Sequence, residues 1–326
     1  MMHLREKIKS YNVTKAFKIA LAAVLSILTA QLLGLDYAVT AGIITVLSIQ
    51  NTKRETLKTA RNRGLAFLCA LLIAYLCYHF MGFHVIAFVV YLFWFAFVCL
   101  NAKWGEAIAM DSVLISHFLA ESNFGAALVL NEVLLFSIGV FWGILMNLHL
   151  RKSADAFARL SEVVDMEIKM ILHKMSKQLQ TTDLKREQID CFSQLDTKIQ
   201  AAKECALQNW NNTLWNQNTY ELDYIKMREN QSRVLRNIGQ SIVMIRALPA
   251  QAQQVADFFG AVEVQYHREN DVEELIEILE NITKQMKQEK LPVDREEFEA
   301  RAVLFYILKQ VEEFLLLKNS FVKQYR

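Results

Sequence analysis

The chain holds 326 residues, 53% of them hydrophobic, with 36 basic against 34 acidic side chains and a formal charge of +2. The apolar residues are gathered into long runs over roughly the first half, which excludes a soluble single-layer reading and points to a polytopic membrane protein. Only two prolines, Pro249 and Pro292, interrupt the whole length, so the expected fold class is all-α.

In chain order the apolar runs are 16–35, 37–52, 65–81, 83–100, 104–120 and 124–150. A spanning helix needs about 20 mostly apolar residues, so six transmembrane helices are expected, the second of them short. The breaks between runs alternate in charge. The N-terminal tail and every second break carry all the Lys and Arg of this half: Arg5, Lys7, Lys9, Lys15 and Lys18, then Lys53, Arg54, Lys58, Arg61 and Arg63, then Lys103, then Arg151 and Lys152. The breaks near 34–36, 79–84 and 121–125 carry none. This is the positive-inside pattern, and with an even number of spans it puts both termini in the cytoplasm. The basic segment 53–63 is accordingly read as a topological signal rather than a nucleic-acid site. A leader of this length and charge in front of the first run does not look like a cleaved signal peptide.

After residue 152 the composition changes. The first 152 residues hold 13 basic and 7 acidic side chains and the remaining ones 23 and 27. Leu160, Val164, Ile168, Ile171, Met175 and Leu179 recur at three- and four-residue spacings. Val272, Leu275, Leu279, Ile282 and Met286 do the same, as do Leu304, Leu308, Val311 and Leu315. Each set is one apolar stripe of an amphipathic helix, so residues 153–326 are expected to form an antiparallel cytoplasmic bundle of five or six helices. A coiled coil between subunits is an alternative for the stretch that follows the sixth run. Asp294 with Glu297 reads as a helix N-cap, and 209–219 as a loop.

No phosphate-binding glycine loop, zinc-protease motif or nucleophile elbow occurs, so neither an enzyme nor a primary ATP-driven pump is indicated. The five cysteines contain no CxxC pair, which leaves no metal or redox framework and implies no cofactor. What remains is polar chemistry inside the apolar runs, where ionisable groups are costly and usually have a task. The fifth run carries Glu106, Asp111, Ser112, Ser116 and His117, and the sixth carries Asn131 and Glu132. Folding the two runs about a turn near Asn123 brings Glu132 level with the segment between Asp111 and His117. These three are the candidates for carrying protons, although Asp111 and His117 point about 120° apart on one helix. In the second run Thr45, Ser48 and Thr52 make a hydroxyl stripe with Gln50 at its end. Together with Ser112 and Ser116 they are the candidates for lining a pathway, with tight helix packing as the competing reading.

The stretch Gly34–Tyr75, GLDYAVTAGIITVLSIQNTKRETLKTARNRGLAFLCALLIAY, followed by AKWGEAIAMDSVLISHFL at Ala102–Leu119, resembles the bacterial aromatic acid exporter family of the fusaric-acid-resistance type. Its small form has six spans and a cytoplasmic helical C-terminal domain, a layout that fits nearly the whole chain. The resemblance implies export of small organic acids across a bacterial plasma membrane, driven by the proton gradient, with two subunits assembling as a homodimer. Two other functions stay open: a passive organic-anion channel gated by the cytoplasmic domain, and a membrane-anchored scaffold or regulator.

Overall fold

The computed structural model describes residues 2–148, 154–181, 191–215, 218–266 and 272–326, and every regular element among them is helical. The chain divides into two compact units, Met1–Lys152 with Asn211–Asn216, and Ser153–Trp210 with Gln217–Arg326.

The first unit contains α1 (Met2–Leu32), α2 (Ala38–Ser48), α3 (Lys53–Met81), α4 (Val85–Ala102), a 3-10 turn at Gly105–Ala107, α5 (Ile108–Ala120) and α6 (Ala126–Leu148). The sixth expected span begins two residues before α6, and its last two residues and the basic pair Arg151 and Lys152 lie outside the described residues. Four helices are long and apolar enough to cross a bilayer: α1 over Lys15–Leu32, α3, α4 and α6. The other two expected spans are shorter. With 11 and 13 residues, α2 and α5 reach about 17 and 20 Å, less than a hydrocarbon core of about 30 Å.

One expected break is not a break. The basic segment 53–63 forms the first turns of α3, which starts twelve residues before the expected third span at Leu65. The reason is local. The Thr52 hydroxyl accepts the Glu55 amide at 3.3 Å and caps the helix, with the Glu55 acid in its first turn. No glycine or proline then stops the helix before Gly82, which closes it at a positive φ of 77°.

Inside this unit the helices meet through small residues. Ala22, Ser26 and Ala30 make a buried stripe on α1, and α1, α2 and α6 pack mutually. Gly139 and Gly143 of α6 lie against α2: a Cβ on Gly139 would stand 2.5 Å from the Ile44 Cγ2 and 2.8 Å from the Ala41 carbonyl oxygen. Such close backbone approach replaces the missing hydrophobic drive between helices in lipid. Aromatic and aliphatic side chains such as Tyr91, Phe95, Leu114 and Phe118 fill the remaining interior, and others point outward. Leu68, Leu72, Phe80, Ile86, Phe93 and Leu100 are all exposed, a continuous apolar exterior suited to acyl chains.

The second unit contains α7 (Ala154–Gln180), α8 (Phe192–Asn212), α9 (Tyr220–Met244), α10 (Gln251–Gln265), α11 (Glu273–Gln288) and α12 (Arg295–Tyr325). All three periodic stripes are buried in one core, apart from the partly covered Leu160 and Met286. The α7 stripe packs against α10 and α9 of the same chain, so it is not free for a coiled coil with another subunit. The loop expected at 209–219 is shorter, because α8 continues to Asn212. Asp294 does cap α12, accepting the Glu297 amide at 2.8 Å, while the Glu297 carboxylate accepts the Val293 amide at 2.8 Å.

A polar knot lies in this core. Arg228 is fully buried and makes a 2.7 Å ion pair with Asp165. It donates to the Tyr224 hydroxyl at 3.1 Å, to the Gln231 amide oxygen at 2.7 Å and to Tyr266. Burial pushes the Tyr266 hydroxyl up to about 12, so that hydroxyl stays a neutral donor and acceptor across the working pH range.

Candidate functional site

Three polar clusters of the first unit lie along α5 and the turns that flank it. At its beginning, α4 ends at Lys103 in a left-handed conformation (φ 60°), and the 3-10 turn then turns the chain so that Glu106 lies beside the first turns of α3. On α3, Glu55, Lys58, Thr59, Asn62 and Arg63 recur at helical spacing and so share a face. Together with Gln50, Asn51 and Trp104 they line a polar cavity of about 300 Å³. Arg63, 5% exposed, sits deepest. Its guanidinium donates to the Leu47 carbonyl at 2.7 Å, near the C-terminal end of α2 where helix carbonyls are left without amide partners. Glu106 is 4.0 Å from the same group.

One turn further along α5 comes Asp111. It is fully buried, and neither carboxylate oxygen has a hydrogen-bond partner among the described residues. The helix packs on α3 and α4 there, and Arg63 is the cation whose charge acts on it. A buried carboxylate without hydrogen bonds is rare, because each unmet oxygen keeps its full desolvation cost.

Near the other end of α5, the His117 imidazole and the Glu132 carboxylate are joined at 2.9 Å. Glu132 is fully buried and also accepts the Asn131 amide at 3.0 Å. Asn131 in turn bridges to the backbone of Asp36, accepting its amide at 2.9 Å and donating to its carbonyl at 3.2 Å. Tyr37, held at φ 58°, stacks on His117 with centroids 3.9 Å apart and donates to Glu121 at 2.6 Å. A second cavity, about 420 Å³, is lined in part by Asp36, Glu121 and Asn131. Ala107 and Glu121, which flank α5, line the first and the second cavity, and the helix between them rises about 20 Å, with Asp111 and His117 on it.

The three candidate proton carriers therefore fall into two separate arrangements. The structure brings His117 and Glu132 together; Asp111 is not hydrogen-bonded to either. Six residues along one helix place Asp111 and His117 about 9 Å apart in rise and about 120° apart in direction, which is the physical reason. Of the proposed lining residues, Thr45 and Ser48 lie buried between α2 and α6, with the Thr45 hydroxyl donating to the Gly139 carbonyl at 3.0 Å. Thr52 is the α3 cap, and Ser116 donates to the Val113 carbonyl at 2.6 Å. Ser112 is half-buried beside Asp111 on α5, and Gln50 reaches the first cavity.

Sequence reasoning passed over Arg63, which it assigned with its neighbours to an extramembrane break. The signal that finds it is the Thr52 cap with Glu55, followed from Lys53 by eleven residues with neither glycine nor proline, which carries Arg63 eleven residues into a helix.

Long apolar helices with outward-facing aliphatic side chains define a helical membrane protein. Family comparison makes this specific. Residues 12–150 match the model of aromatic acid exporter family member 1, and residues 155–319 match that of the aromatic acid exporter C-terminal domain, so the chain belongs to the aromatic acid exporter family. It is also 28% identical over 309 residues to YqjA of Bacillus subtilis strain 168, an uncharacterized protein, covering 94% of this chain and 95% of that one. A crystal structure of a membrane protein from Clostridium difficile 630 is similar over 50% of this chain and 97% of its own, at 24% identity and a TM-score of 0.45. Family membership points to a non-enzymatic membrane protein.

Proposed function

We propose that this protein exports small aromatic and related organic acids from the cytoplasm of a bacterium, coupled to protons, with Asp111 as the proton-carrying group and the His117–Glu132 pair in a supporting relay. In this reading the four long helices, α2 and α5 together form a six-helix membrane domain with both termini and the helical bundle on the cytoplasmic side. Two such subunits make the working homodimer. The alternation of basic and uncharged breaks supports that orientation.

The observation that carries the proposal is Asp111: a carboxyl group with no exposure and no hydrogen bond among the described residues, on the helix that lies between two polar cavities. Such a group gains from being neutral at rest and loses that gain when it ionises, which is the property a coupled carrier needs. Purified protein in liposomes, loaded with radiolabelled 4-hydroxybenzoate, tests it under an imposed pH gradient. Gradient-driven flux in the wild type and its loss in Asp111→Asn is the expected result. Flux that ignores the pH gradient in both would replace coupling by a passive channel. No flux of any aromatic acid, with a cellular effect reproduced by the bundle alone, would favour the scaffold.

A further inference from the structure

The search for a ligand site outside the proton-carrying group leads to the cavity around Arg63. Cations, an aromatic ring and enclosed space coincide there. Three basic side chains line it, Lys58, Arg63 and Lys103, against two acids, Glu55 and Glu106. Trp104 supplies an aromatic wall. At about 300 Å³ the cavity stands at the lower end of the range for small-molecule sites, which fits a single ring with one or two substituents rather than a large conjugate.

Arg63 is what makes the cavity more than a polar dent. Its Nη1 is used, donating to the Leu47 carbonyl at 2.7 Å. Its Nη2 meets the Glu106 carboxylate at 4.0 Å, and its Nε has no hydrogen-bond partner among the described residues. A charge-assisted N–H···O contact is made at about 2.7–2.9 Å, so the pairing with Glu106 is loose. Glu106 itself is largely exposed and accepts a long bond from the Thr59 hydroxyl at 3.4 Å. A buried guanidinium therefore faces the cavity with a weakly held carboxylate for company, and another carboxylate of better reach can take its place.

We infer that this cavity binds aromatic monocarboxylates, the acid group on Arg63 and the ring against Trp104, with Glu106 as the internal carboxylate that the ligand displaces. The site rests on the export reading for its place at the cytoplasmic mouth, and it names the substrate's first resting point. Guanidinium suits this task better than the two lysines, because its planar donors match a carboxylate and its position is fixed by Leu47. Lys58 and Lys103, both exposed, add attraction at longer range.

Calorimetric titration of the full-length protein in detergent with benzoate tests this, using acetate and inorganic phosphate as controls. Benzoate is expected to bind saturably and more tightly than either control. Arg63→Gln should weaken it about tenfold or more, the loss of one charged hydrogen bond. Glu106→Gln should tighten it several-fold by removing the competitor. Since Arg63 is buried and its variant can fail to fold, Glu106→Gln on the exposed side of the pair supplies the independent measurement. No saturable benzoate binding, or binding unchanged in Glu106→Gln and in a folded Arg63→Gln, overturns the site. The same preparations in liposomes separate the two readings. Transport with binding indifferent to both variants removes this site and leaves export standing; binding that follows Arg63 and Glu106, with no transport under any gradient, removes export and leaves the site.

Discussion

Replacing Gly139 by alanine adds one methyl group at the tightest helix crossing of the membrane unit. The new Cβ would stand 2.5 and 2.6 Å from the Ile44 Cγ2 and Cβ and 2.8 Å from the Ala41 carbonyl oxygen. None of these can swing aside, since Ile44 is β-branched and fully packed and the third is backbone. Relief requires α2 and α6 to part by roughly 1 Å, a carbon–carbon contact needing about 3.5–4.0 Å. Overpacking of this kind costs about 1–3 kcal/mol. The separation also lengthens the 3.0 Å bond from the Thr45 hydroxyl to the Gly139 carbonyl, worth about 0.6 kcal/mol in membrane proteins. Set against the gain of about 1 kcal/mol that alanine has over glycine within a helix, the net loss is about 1–3 kcal/mol. Gly64→Ala is the control, because its Cβ would meet nothing within 4 Å and alanine gains about 1 kcal/mol over glycine in a helix. Thermal or denaturant unfolding of both variants in the same detergent should place Gly139→Ala below the wild type and Gly64→Ala at or above it. Gly139→Ala unfolding with Gly64→Ala, or above it, would refute the packing argument.

His117→Ala leaves the buried Glu132 carboxylate with Asn131 as its remaining side-chain partner, and should destabilise the protein by about 3 kcal/mol in detergent unfolding. Glu132→Gln in the same background should recover part of that loss, and a double-mutant cycle with no coupling would dissolve the pair. In the bundle, the Val293 amide and then Arg301 hold the Glu297 carboxyl below the ordinary carboxylate range. A depressed folded value means that the stabilisation is complete above the unfolded pKa of about 4.3 and disappears as pH falls through the folded value. Amide-exchange protection factors at the start of α12 should therefore fall at acid pH in the wild type, and Glu297→Gln should flatten that dependence.

Much of the architecture can be read from residue order. The stripes at 160–179 and 304–315 are buried on one face of α7 and α12, because an apolar face repeated every three or four residues has nowhere else to go. The boundaries of the membrane helices were harder. A cluster such as Lys53–Arg63 suits a cytoplasmic break, and composition alone cannot say that α3 begins within it. The cap at Thr52 decides that, and a cap is a matter of two residues against a background of eleven. The intramembrane acids were visible as residues, but their partners were not. Glu132 could be levelled with the middle of α5 by counting; its choice of His117 over Asp111 depends on helix rotation, which packing of α2 against the α6 glycines sets.

The unbroken course of α3 from Lys53 to Met81 has a practical side for anyone who wishes to cut or label the protein. An inserted residue between Lys58 and Arg61 would turn everything downstream by about 100° and advance it by about 1.5 Å, carrying Arg63, Phe67 and the whole α3 surface off their neighbours. Epitope tags and protease sites belong at the turn after Met81, where the chain already changes direction and the contacts of Asp36, Tyr37 and Glu121 are left intact. The segment that looks most like a convenient handle is a rigid shaft.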